Sequence, residues 1–242
     1  MKAVIMAAGQ GTRLKPLTNA LPKPLVPIGF KNGVMYTIIE KLIEQIKTAG
    51  ITKIAIGVNY KKEAIIDYLG DGSRLGVKIS YYEQEVLDGN AGPIWRCKNF
   101  LNDDLLFTDA DNFVCDDNVF LEMRRLFEKS KADAVVGVNK VSNPSKYAIF
   151  KADKSGKLVD IFEKPQDSSW GNLAKTGFGI LSKDLAKKVK EISKLPNGEY
   201  TTTQIFKTII EKKLKLVPFE IKSEYADIGT WDEYHRILKQ NL

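Results

Sequence analysis

The sequence predicts a three-layer α/β fold with a largely parallel, twisted sheet that is Rossmann-like in its first half. Two short runs rich in β-branched residues, 2–6 and 53–58, flank residues 36–49, where apolar side chains recur at helical spacing. Gly50 follows this segment, at the position where glycine commonly ends a helix. A strand, helix and strand of this length form a right-handed crossover, which makes the two strands parallel.

The alternation of strands and helices continues to about residue 139 and then changes to shorter extended segments. We expect helices over residues 62–69, 183–192 and 203–213 and a last helix from near Trp231, and strands over residues 77–82, 105–108, 148–151, 158–162 and 177–181. No internal repeat of 20 to 50 residues is present. We therefore interpret residues 1–242 as a single domain in which the second part adds to the same sheet.

Composition and cysteine usage are those of a globular protein from a reducing compartment. Of the 242 residues, 43% are hydrophobic and 28% are charged, and no apolar run approaches the roughly 20 residues of a membrane span. Residues 3–8 are too short for a secretory signal, and Cys97 and Cys115 form no CxxC motif. We expect a cytoplasmic protein without a membrane partner.

The net charge of +7 indicates anionic partners. The lysines are spread along helical segments such as residues 183–194 and 211–215, where glutamates interleave with them. This pattern favours a solvated surface over a nucleic-acid patch, and no interleaving of aromatic and basic residues is present. Phosphorylated small substrates account for part of the charge.

A glycine loop follows the first strand within residues 6–27, which read MAAGQGTRLKPLTNALPKPLVP. Gly9 and Gly11 allow a sharp turn and a close approach of backbone N–H groups to an anion, while Arg13 and Lys23 supply positive charge. A P-loop is excluded because GxxxxGK[ST] is absent, and a dinucleotide loop is excluded because Leu14 occupies its third glycine position. An isolated GxG would favour an ordinary tight turn.

Two carboxylates end the predicted strand within residues 105–112, LLFTDADN. The carboxyl ends of parallel strands face the ligand crevice, so Asp109 and Asp111 are expected there, on one side of the extended chain. An EF-hand is excluded because Phe113 and Val114 stand where a ligand and a glycine are needed. From these residues alone, a helix cap or turn is about equally favoured.

The motifs GxGTRLxPLT and PKPLVPIG resemble the sugar-1-phosphate nucleotidyltransferases, or sugar-nucleotide pyrophosphorylases, which include glucose-1-phosphate thymidylyltransferase. The resemblance extends over nearly the whole chain and implies the nucleotide-diphospho-sugar transferase fold. It implies that the loop wraps a nucleoside triphosphate, with Arg13 on the leaving pyrophosphate and Lys23 on the reacting phosphates. The loop positions are Ala8, Gly9, Gly11 and Thr12. Residues 1–139 would then form the nucleotide half and residues 140–242 the sugar-phosphate half.

The resemblance also implies two Mg²⁺ ligands from distant motifs. Asp111 matches the aspartate of the family's Gly-Asp pair, with Ala110 in place of the usual glycine. Asp227 matches the Asp-x-Gly-Thr motif within YADIGTW, although that segment alone favours simple capping of the last helix by Thr230. Two hard carboxylates together with triphosphate oxygens suit Mg²⁺.

Substrate contacts are implied by three further matches. Gln84 would hydrogen-bond the pyrimidine edge, because its side-chain amide offers both a donor and an acceptor. Gly89 would let the backbone approach the base or ribose. A hairpin-like loop explains this segment equally well. In FEKP, Glu163 would hold sugar hydroxyls and Lys164, as a catalytic residue, would orient the sugar phosphate. The remaining positions implied to line or close the sugar pocket are Tyr147, Ala148, Thr176 and Gly177.

Two departures from the family pattern lie near the second substrate. Asn197 stands where many relatives carry a basic residue, and Gln204 replaces an expected aspartate. The single histidine, His235, lies on the last helix without a catalytic partner in the sequence.

The expected activity is Mg²⁺-dependent transfer of a nucleotidyl group from a nucleoside triphosphate, with UTP or dTTP favoured, to a sugar 1-phosphate, with glucose 1-phosphate favoured. One alternative, motivated by DADN, is a cytidylyltransferase for phosphocholine, with Trp170 and Tyr147 as candidates for an aromatic cage. The other is a non-catalytic nucleotide-sugar-binding relative. Hexapeptide repeats of an acyltransferase β-helix are absent from the sequence, so we expect no second activity, and a homo-oligomer is possible.

Overall fold

The computed structural model describes residues 1–241, in which the strands and α-helices alternate through most of the chain. The strands are β1 (Lys2–Ala7), β2 (Pro27–Lys31), β3 (Val34–Thr37), β4 (Lys53–Val58), β5 (Lys78–Glu83), β6 (Leu105–Asp109), β7 (Asn112–Val114), β8 (Ala134–Lys140), β9 (Ala148–Ala152), β10 (Leu158–Glu163), β11 (Leu173–Leu181), β12 (Leu216–Glu220) and β13 (Tyr225–Asp227). The helices are α1 (Leu17–Ala20), α2 (Ile38–Thr48), α3 (Lys62–Leu69), α4 (Gly92–Arg96), α5 (Val119–Ser130), α6 (Lys183–Lys187), α7 (Val189–Ile192), α8 (Thr202–Glu211) and α9 (Trp231–Asn241).

The central sheet is parallel in its first half, as the sequence predicts. Its order is β10-β9-β11-β6-β1-β4-β5, with β8 paired to β11 and β12 paired to β8. Strand β1 pairs in parallel with both β4 and β6, and β4 pairs in parallel with β5. Strands β9, β10 and β11 are antiparallel additions, so the second half of the chain makes the sheet mixed.

Strand β11 changes its partner midway along its length. Leu173 and Ala174 pair with β9, whereas residues from Phe178 onward pair with β6, and the register against β8 shifts between Lys175 and Gly179. Residues 175–177 therefore lie at a gap between β9 and the carboxyl end of β6. A crevice at such a change in sheet topology is the usual ligand site of α/β folds.

Helices cover both faces of the sheet and complete three layers. Alternate residues of β1 separate to the two sides: Ile5 belongs to the cluster that contains α2 and α5, and Val4 belongs to the cluster that contains α7 and α8. In α2, a Thr37–Glu40 capping box begins the helix, and its apolar residues are fully buried at helical spacing. Burial of both sheet faces explains why the parallel strands are almost continuously apolar.

Some elements differ from the sequence prediction. The expected helix over residues 183–192 is wrong as a single element: it is broken at Lys188 (φ −98°, ψ 6°) into α6 and α7. Leu185, Ala186, Val189 and Ile192 are all buried. Their spacing continues across the break, so the periodicity carries no sign of it. The predicted strand 177–181 is the second half of the longer β11.

Among the described residues, no helix is both long and apolar enough to cross a membrane.

Replacing Phe206 by alanine tests the packing of α8 on the sheet. Phe206 is fully buried, and its ring lies 6.1 Å from the rings of both Phe107 on β6 and Phe150 on β9. We expect Phe206→Ala to lower the free energy of unfolding by about 3–5 kcal/mol, because it leaves a cavity in the core. Urea denaturation measures this loss. The control is Val34→Ala, since Val34 is 68% exposed and its truncation should change stability by no more than about 0.5 kcal/mol. A loss below about 1 kcal/mol for Phe206→Ala would contradict this packing.

Candidate active site

The main cavity has a volume of about 630 Å³ and lies at the carboxyl ends of β1 and β6. It brings together most of the residues singled out in the sequence. These are Ala8, Gly9, Gly11, Thr12, Arg13, Lys23, Gln84, Gly89, Asp109, Asp111 and Glu163, and Glu199 also lines the cavity.

A second, smaller cavity of about 90 Å³ contains two of the remaining candidates, Tyr147 and Asp227. It is also lined by Lys175, Glu233 and Arg236, none of which the sequence analysis selected. Most predicted site residues thus line one of these two cavities, with those expected to bind nucleotide in the larger one, whereas Lys164, Thr176 and Gly177 line neither.

The glycine loop leaves backbone donors available for an anion. Gly11 has φ +63°, and a Cβ there would lie 2.9 Å from the Thr18 side chain, so both backbone and packing require glycine. A Cβ at Gly9 would meet no protein atom within 4 Å. In the described part of the chain, the N–H groups of residues 9–11 donate to no protein acceptor. The exposed Arg13 guanidinium lies beside Gly229, 2.7 Å from where a Cβ would stand there.

A two-stranded ribbon brings the distant carboxylates together. Strand β13 pairs antiparallel with β7, which sets Asp227 opposite Asn112. The backbone N–H of Ile228 donates to the carbonyl of Asp111 at 3.0 Å. The Tyr225 hydroxyl donates to the Asn112 side chain at 2.8 Å. Asp111 and Asp227 therefore meet although 116 positions separate them in the sequence.

Lys23 lies between these two carboxylates. Its ammonium forms an ion pair with Asp111 and lies 3.6 Å from Asp227 Oδ1, and the whole residue is only 9% exposed. Burial alone lowers the pKa of Lys23, but Asp111 and Asp227 outweigh it, so the pKa is raised. Lys23 therefore keeps its charge at the centre of the site.

The pKa values of the three carboxylates in this cluster differ. Burial, together with the charge of Asp111, raises the pKa of Asp109 to about 7 and that of Asp227 to about 8. Burial also acts to raise the pKa of Asp111, but the Lys23 ammonium outweighs it and holds that pKa below its usual value. The cluster thus has more carboxylates than Lys23 alone can compensate.

The donor set of this cluster fits a hard divalent cation. Asp227 Oδ1 is buried and accepts no hydrogen bond within residues 1–241, and Asp111 adjoins it. No group of three or more His, Cys, Asp or Glu residues in the described chain is arranged to hold a metal by itself. Two carboxylates completed by water and substrate oxygens are typical of Mg²⁺, which rarely has an all-protein cage.

The amide of Gln84 is oriented by its neighbours. Its Nε2 donates to Asp88 Oδ1 and to the carbonyl of Gly89, both at 3.0 Å, and Arg96 holds Asp88 through two contacts of 2.9 Å. Both amide hydrogens are thereby used, so Gln84 offers the cavity only its carbonyl oxygen. This differs from the expectation that Gln84 supplies both a donor and an acceptor to the base.

The segment after Gln84 is fixed to the start of α8. Tyr200 N donates to the carbonyl of Asp88 at 2.7 Å, and Asn90 and Thr202 exchange two hydrogen bonds of 3.0 and 3.2 Å. Gly89 has φ +108°, and a Cβ there would collide with the carbonyl oxygen of Tyr200. Protein packing alone therefore requires glycine at position 89.

The residues expected to hold the second substrate occupy varied positions. Glu163 lines the main cavity and accepts a hydrogen bond of 2.6 Å from Thr203. Lys164 is exposed with φ +48°, and it is not among the residues that line either cavity. Thr176 is buried, and its hydroxyl lacks a hydrogen-bond partner among the described residues. Gly177 lies against the carboxylate of Asp109, where a Cβ would collide with that carboxylate.

The structure does not join Trp170 and Tyr147 into an aromatic cage. Trp170 stacks on Phe162 with ring centroids 5.2 Å apart, and it lines neither of these two cavities. Tyr147 lines only the small cavity, where Lys175 and Arg236 are also found.

Sequence reasoning missed Lys175 and the Asp88–Arg96 pair. Lys175 directly precedes the Thr-Gly segment that the resemblance selected, so its position in the sequence could have indicated that it lies near the site. Asp88 lies in the segment that a hairpin-like loop explains from the sequence, which gives its side chain no role. Its eight-residue separation from Arg96 carries no local signal, because the two meet only where the chain turns into α4.

Comparison with known proteins identifies the family. The family model described as "Nucleotidyl transferase" matches residues 2–242. A bifunctional protein GlmU of Methanococcus maripaludis is 32% identical over 96% of this chain and 52% of its own length. A glucose-1-phosphate thymidylyltransferase of Streptomyces griseus is 30% identical over 95% of this chain and 62% of its own length. The chain thus spans roughly half to three fifths of these relatives.

Solved structures agree with the fold. A Bacillus anthracis protein described as a glucose-1-phosphate thymidylyltransferase, solved with sucrose, superposes with a TM-score of 0.88 at 27% identity. The superposition covers 100% of this chain and 95% of that one. A UDP-glucose pyrophosphorylase solved with UDP-glucose has a TM-score of 0.84 at 24% identity, covering 99% and 97% of the two chains, which supports the fold alone.

The family inferred from the glycine loop and the carboxylate motifs is thereby confirmed, and so is the α/β fold that it implied. The chain belongs to the nucleotidyl transferase family.

Proposed function

We propose that the protein transfers a nucleotidyl group from a nucleoside triphosphate to a sugar 1-phosphate, releasing pyrophosphate and forming a nucleotide sugar. The observation that carries the proposal is the position of Lys23, which is held between Asp111 and Asp227 beside a glycine loop with free backbone donors. Such a site would place positive charge and metal-binding carboxylates beside the phosphates of both substrates.

The reaction is an in-line displacement at the α-phosphorus. An oxygen of the acceptor phosphate forms the new P–O bond, the bond to the β-phosphate oxygen breaks, and its electron pair leaves with pyrophosphate. The nucleophile is already an anion, so the chain's task is positioning and charge stabilisation rather than proton removal. The N–H groups of residues 9–11 and the Arg13 guanidinium suit the pyrophosphate end, and Lys23 suits the reacting phosphate.

We further propose Mg²⁺ as the cofactor, with Asp111 and Asp227 as its ligands. When bound, the ion would neutralise phosphate charge and orient the triphosphate. Asp227 Oδ1, which accepts no hydrogen bond within residues 1–241, and the surplus of carboxylates support this assignment.

UTP or dTTP and glucose 1-phosphate are the favoured substrates of this proposal. The relatives include proteins named as glucose-1-phosphate thymidylyltransferase and mannose-1-phosphate guanylyltransferase, so other base and sugar pairs belong in the first substrate screen. The Gln84 oxygen suits the N3–H of uracil or thymine, and Glu163 suits sugar hydroxyls. Lys164 remains a candidate for the sugar phosphate, for which its exposed side chain would turn toward the cavity.

Neither rival function has comparable support. A non-catalytic relative would have no need of Arg13, Lys23, Asp111 and Asp227 together. A phosphocholine enzyme calls for an aromatic cage, and Trp170 stacks on Phe162 instead of facing Tyr147.

Replacing Asp111 by asparagine tests the proposed metal site. We expect Asp111→Asn to lower the rate of pyrophosphate release by 100-fold or more, because it removes an anionic ligand and breaks the ion pair with Lys23. The measurement uses Mg²⁺ with UTP or dTTP and glucose 1-phosphate. Asp117→Asn is the matched control, since Asp117 is exposed and pairs with Lys41 away from the cavity. Equal turnover by Asp111→Asn and the wild type would remove Asp111 from the site.

The carboxylate cluster predicts an unusual pH dependence for the metal-free protein. Folding raises the pKa of Asp109 from 3.8 to about 7 and that of Asp227 from 3.8 to about 8, so the folded state holds protons that the unfolded chain has released. Between about pH 5 and 7, each group therefore lowers the free energy of unfolding as pH rises. Asp109 contributes up to about 1.4 kcal/mol per pH unit, and the more exposed Asp227 contributes less because solvent screens its charge. Urea denaturation in EDTA at pH 5 and pH 8 measures the decrease.

Two comparisons assign this decrease to the cluster. Asp109→Asn should flatten the pH dependence, and added Mg²⁺ should raise the melting temperature more at pH 8 than at pH 5.5. Asp111 does not interfere, because its pKa is lowered and its contribution is lost only below the usual carboxyl range. An identical slope in Asp109→Asn and the wild type would contradict the assignment.

Base analogues test the orientation of Gln84. An acceptor-only amide needs an N–H on the base, so 3-methyl-UTP should lose 10-fold or more in kcat/KM relative to UTP. 4-Thio-UTP, which keeps the N3–H donor and weakens the acceptor at position 4, should react nearly as well as UTP because both Gln84 hydrogens are engaged. Gln84→Leu should remove the discrimination against 3-methyl-UTP. The opposite ranking of the two analogues would mean that Gln84 donates to the base.

A further inference from the structure

The Arg13 side chain lies against Gly229, in the turn that leads into α9. A Cβ built on Gly229 would lie 2.7 Å from Nη2 of Arg13, 3.1 Å from its Cζ and 3.3 Å from its Nη1. Apart from the adjoining residues, these are the three nearest heavy atoms, so the guanidinium fills the space that a side chain at position 229 would need. The φ of Gly229 lies outside the left-handed region, so its backbone conformation does not itself require glycine.

The Arg13 guanidinium lines the main cavity with its N–H groups unused by the protein. Among the described residues, Arg13 donates no hydrogen bond and forms no ion pair. A guanidinium carries five N–H donors in a planar fork, and an exposed arginine loses much rotamer freedom when it is fixed. The contact with Gly229 restricts where the guanidinium lies before any ligand binds and leaves its donors to that ligand.

The turn that contacts Arg13 is itself held in place. The backbone N–H of Gly229 donates to Glu233 Oε2 at 3.1 Å, within the capping box that begins α9. Trp231 Nε1 donates to the carbonyl of Lys15 at 3.1 Å, two residues beyond Arg13. Residues 229–231 therefore contact the glycine loop at two places, once through the Arg13 side chain and once through the loop backbone.

We propose that Gly229 is a positioning residue for Arg13, because the absence of a Cβ lets the guanidinium rest against this turn, where it binds the pyrophosphate end of the triphosphate. The proposal rests on the proposed function, which assigns the pyrophosphate to Arg13. An alanine at position 229 would force the guanidinium away, because ordinary contacts of a Cβ begin near 3.4 Å. The flexible end of Arg13 can make this shift, so the fold tolerates the substitution while the arginine leaves its position.

Equilibrium binding of pyrophosphate to the full chain tests Gly229 without requiring turnover. Titration calorimetry with Mg²⁺ and pyrophosphate compares the wild type, Gly229→Ala, Arg13→Ala and the double variant. We expect Gly229→Ala to weaken binding about fivefold or more, because the displaced donors no longer meet the phosphate oxygens. In the Arg13→Ala background the same substitution should change the affinity less than about twofold, since no guanidinium is left to displace.

Two further measurements separate positioning from a structural role. In steady-state assays, Gly229→Ala should raise the KM for the nucleoside triphosphate about fivefold or more and leave the KM for the acceptor within about twofold. In the ligand-free chain, trypsin cleavage after Arg13, followed by mass spectrometry, should be about threefold or more faster in Gly229→Ala, because the guanidinium no longer rests against the turn.

Controls and contrary outcomes are defined for each measurement. Lys239→Met, an exposed position on α9, should change neither pyrophosphate affinity nor cleavage after Arg13, and the melting temperature of each variant checks its fold. Unchanged pyrophosphate affinity in Gly229→Ala would overturn the proposal, and so would an equal loss in both Arg13 backgrounds. Failure of the wild type to bind pyrophosphate would instead refute the proposed function. The cleavage comparison still decides the proposal in that case, because equal rates would overturn it.

Discussion

The ion pair between Lys23 and the carboxylates Asp111 and Asp227 is the interaction on which the site depends. Its three members come from the loop after β1, the end of β6 and the strand β13, so it ties the beginning, middle and end of the chain together. Removing one partner of a buried pair leaves an uncompensated charge, which is far more costly than the pair itself is stabilising. Holding these buried charges together therefore costs stability, which is common in functional sites.

The change of partner in β11 explains why the crevice lies where it does. A strand that paired continuously with β6 would fill the space beside Asp109 with backbone. Instead, residues 175–177 pair with neither β9 nor β6 in the described chain, and Gly177 lets the strand pass close to the Asp109 carboxylate. The same irregularity places Lys175 next to the second cavity. One irregularity in the sheet thus opens the crevice and also brings the Lys175 side chain to the smaller cavity.

Much of the fold was predictable because the parallel strands and α2 are specified by local pattern. Helix α3 has the expected bounds, and β1, β4, β5 and β6 differ from expectation by at most one residue at an end. Helix α5 was not predicted, although its buried residues Val119, Phe120, Met123 and Phe127 have helical spacing. The break at Lys188 was not predictable, because periodicity is preserved across it. At the site, residue types were predictable from the resemblance, whereas the orientation of Gln84 depends on Asp88 and Arg96 and on tertiary contacts that no spacing reveals.

The hydrogen bonds between residues 88–91 and the start of α8 have a consequence for exchanging specificity between relatives. Asp88 and Asn90 on one side, and Tyr200 and Thr202 on the other, form one connected frame, and Thr203 extends it to Glu163. The loop that follows Gln84 is therefore not an independent module. A chimera that imported residues 84–92 alone would bring a loop whose carbonyls and amides no longer match their partners. The smallest transferable unit is discontinuous, two short segments more than a hundred residues apart that must be moved together.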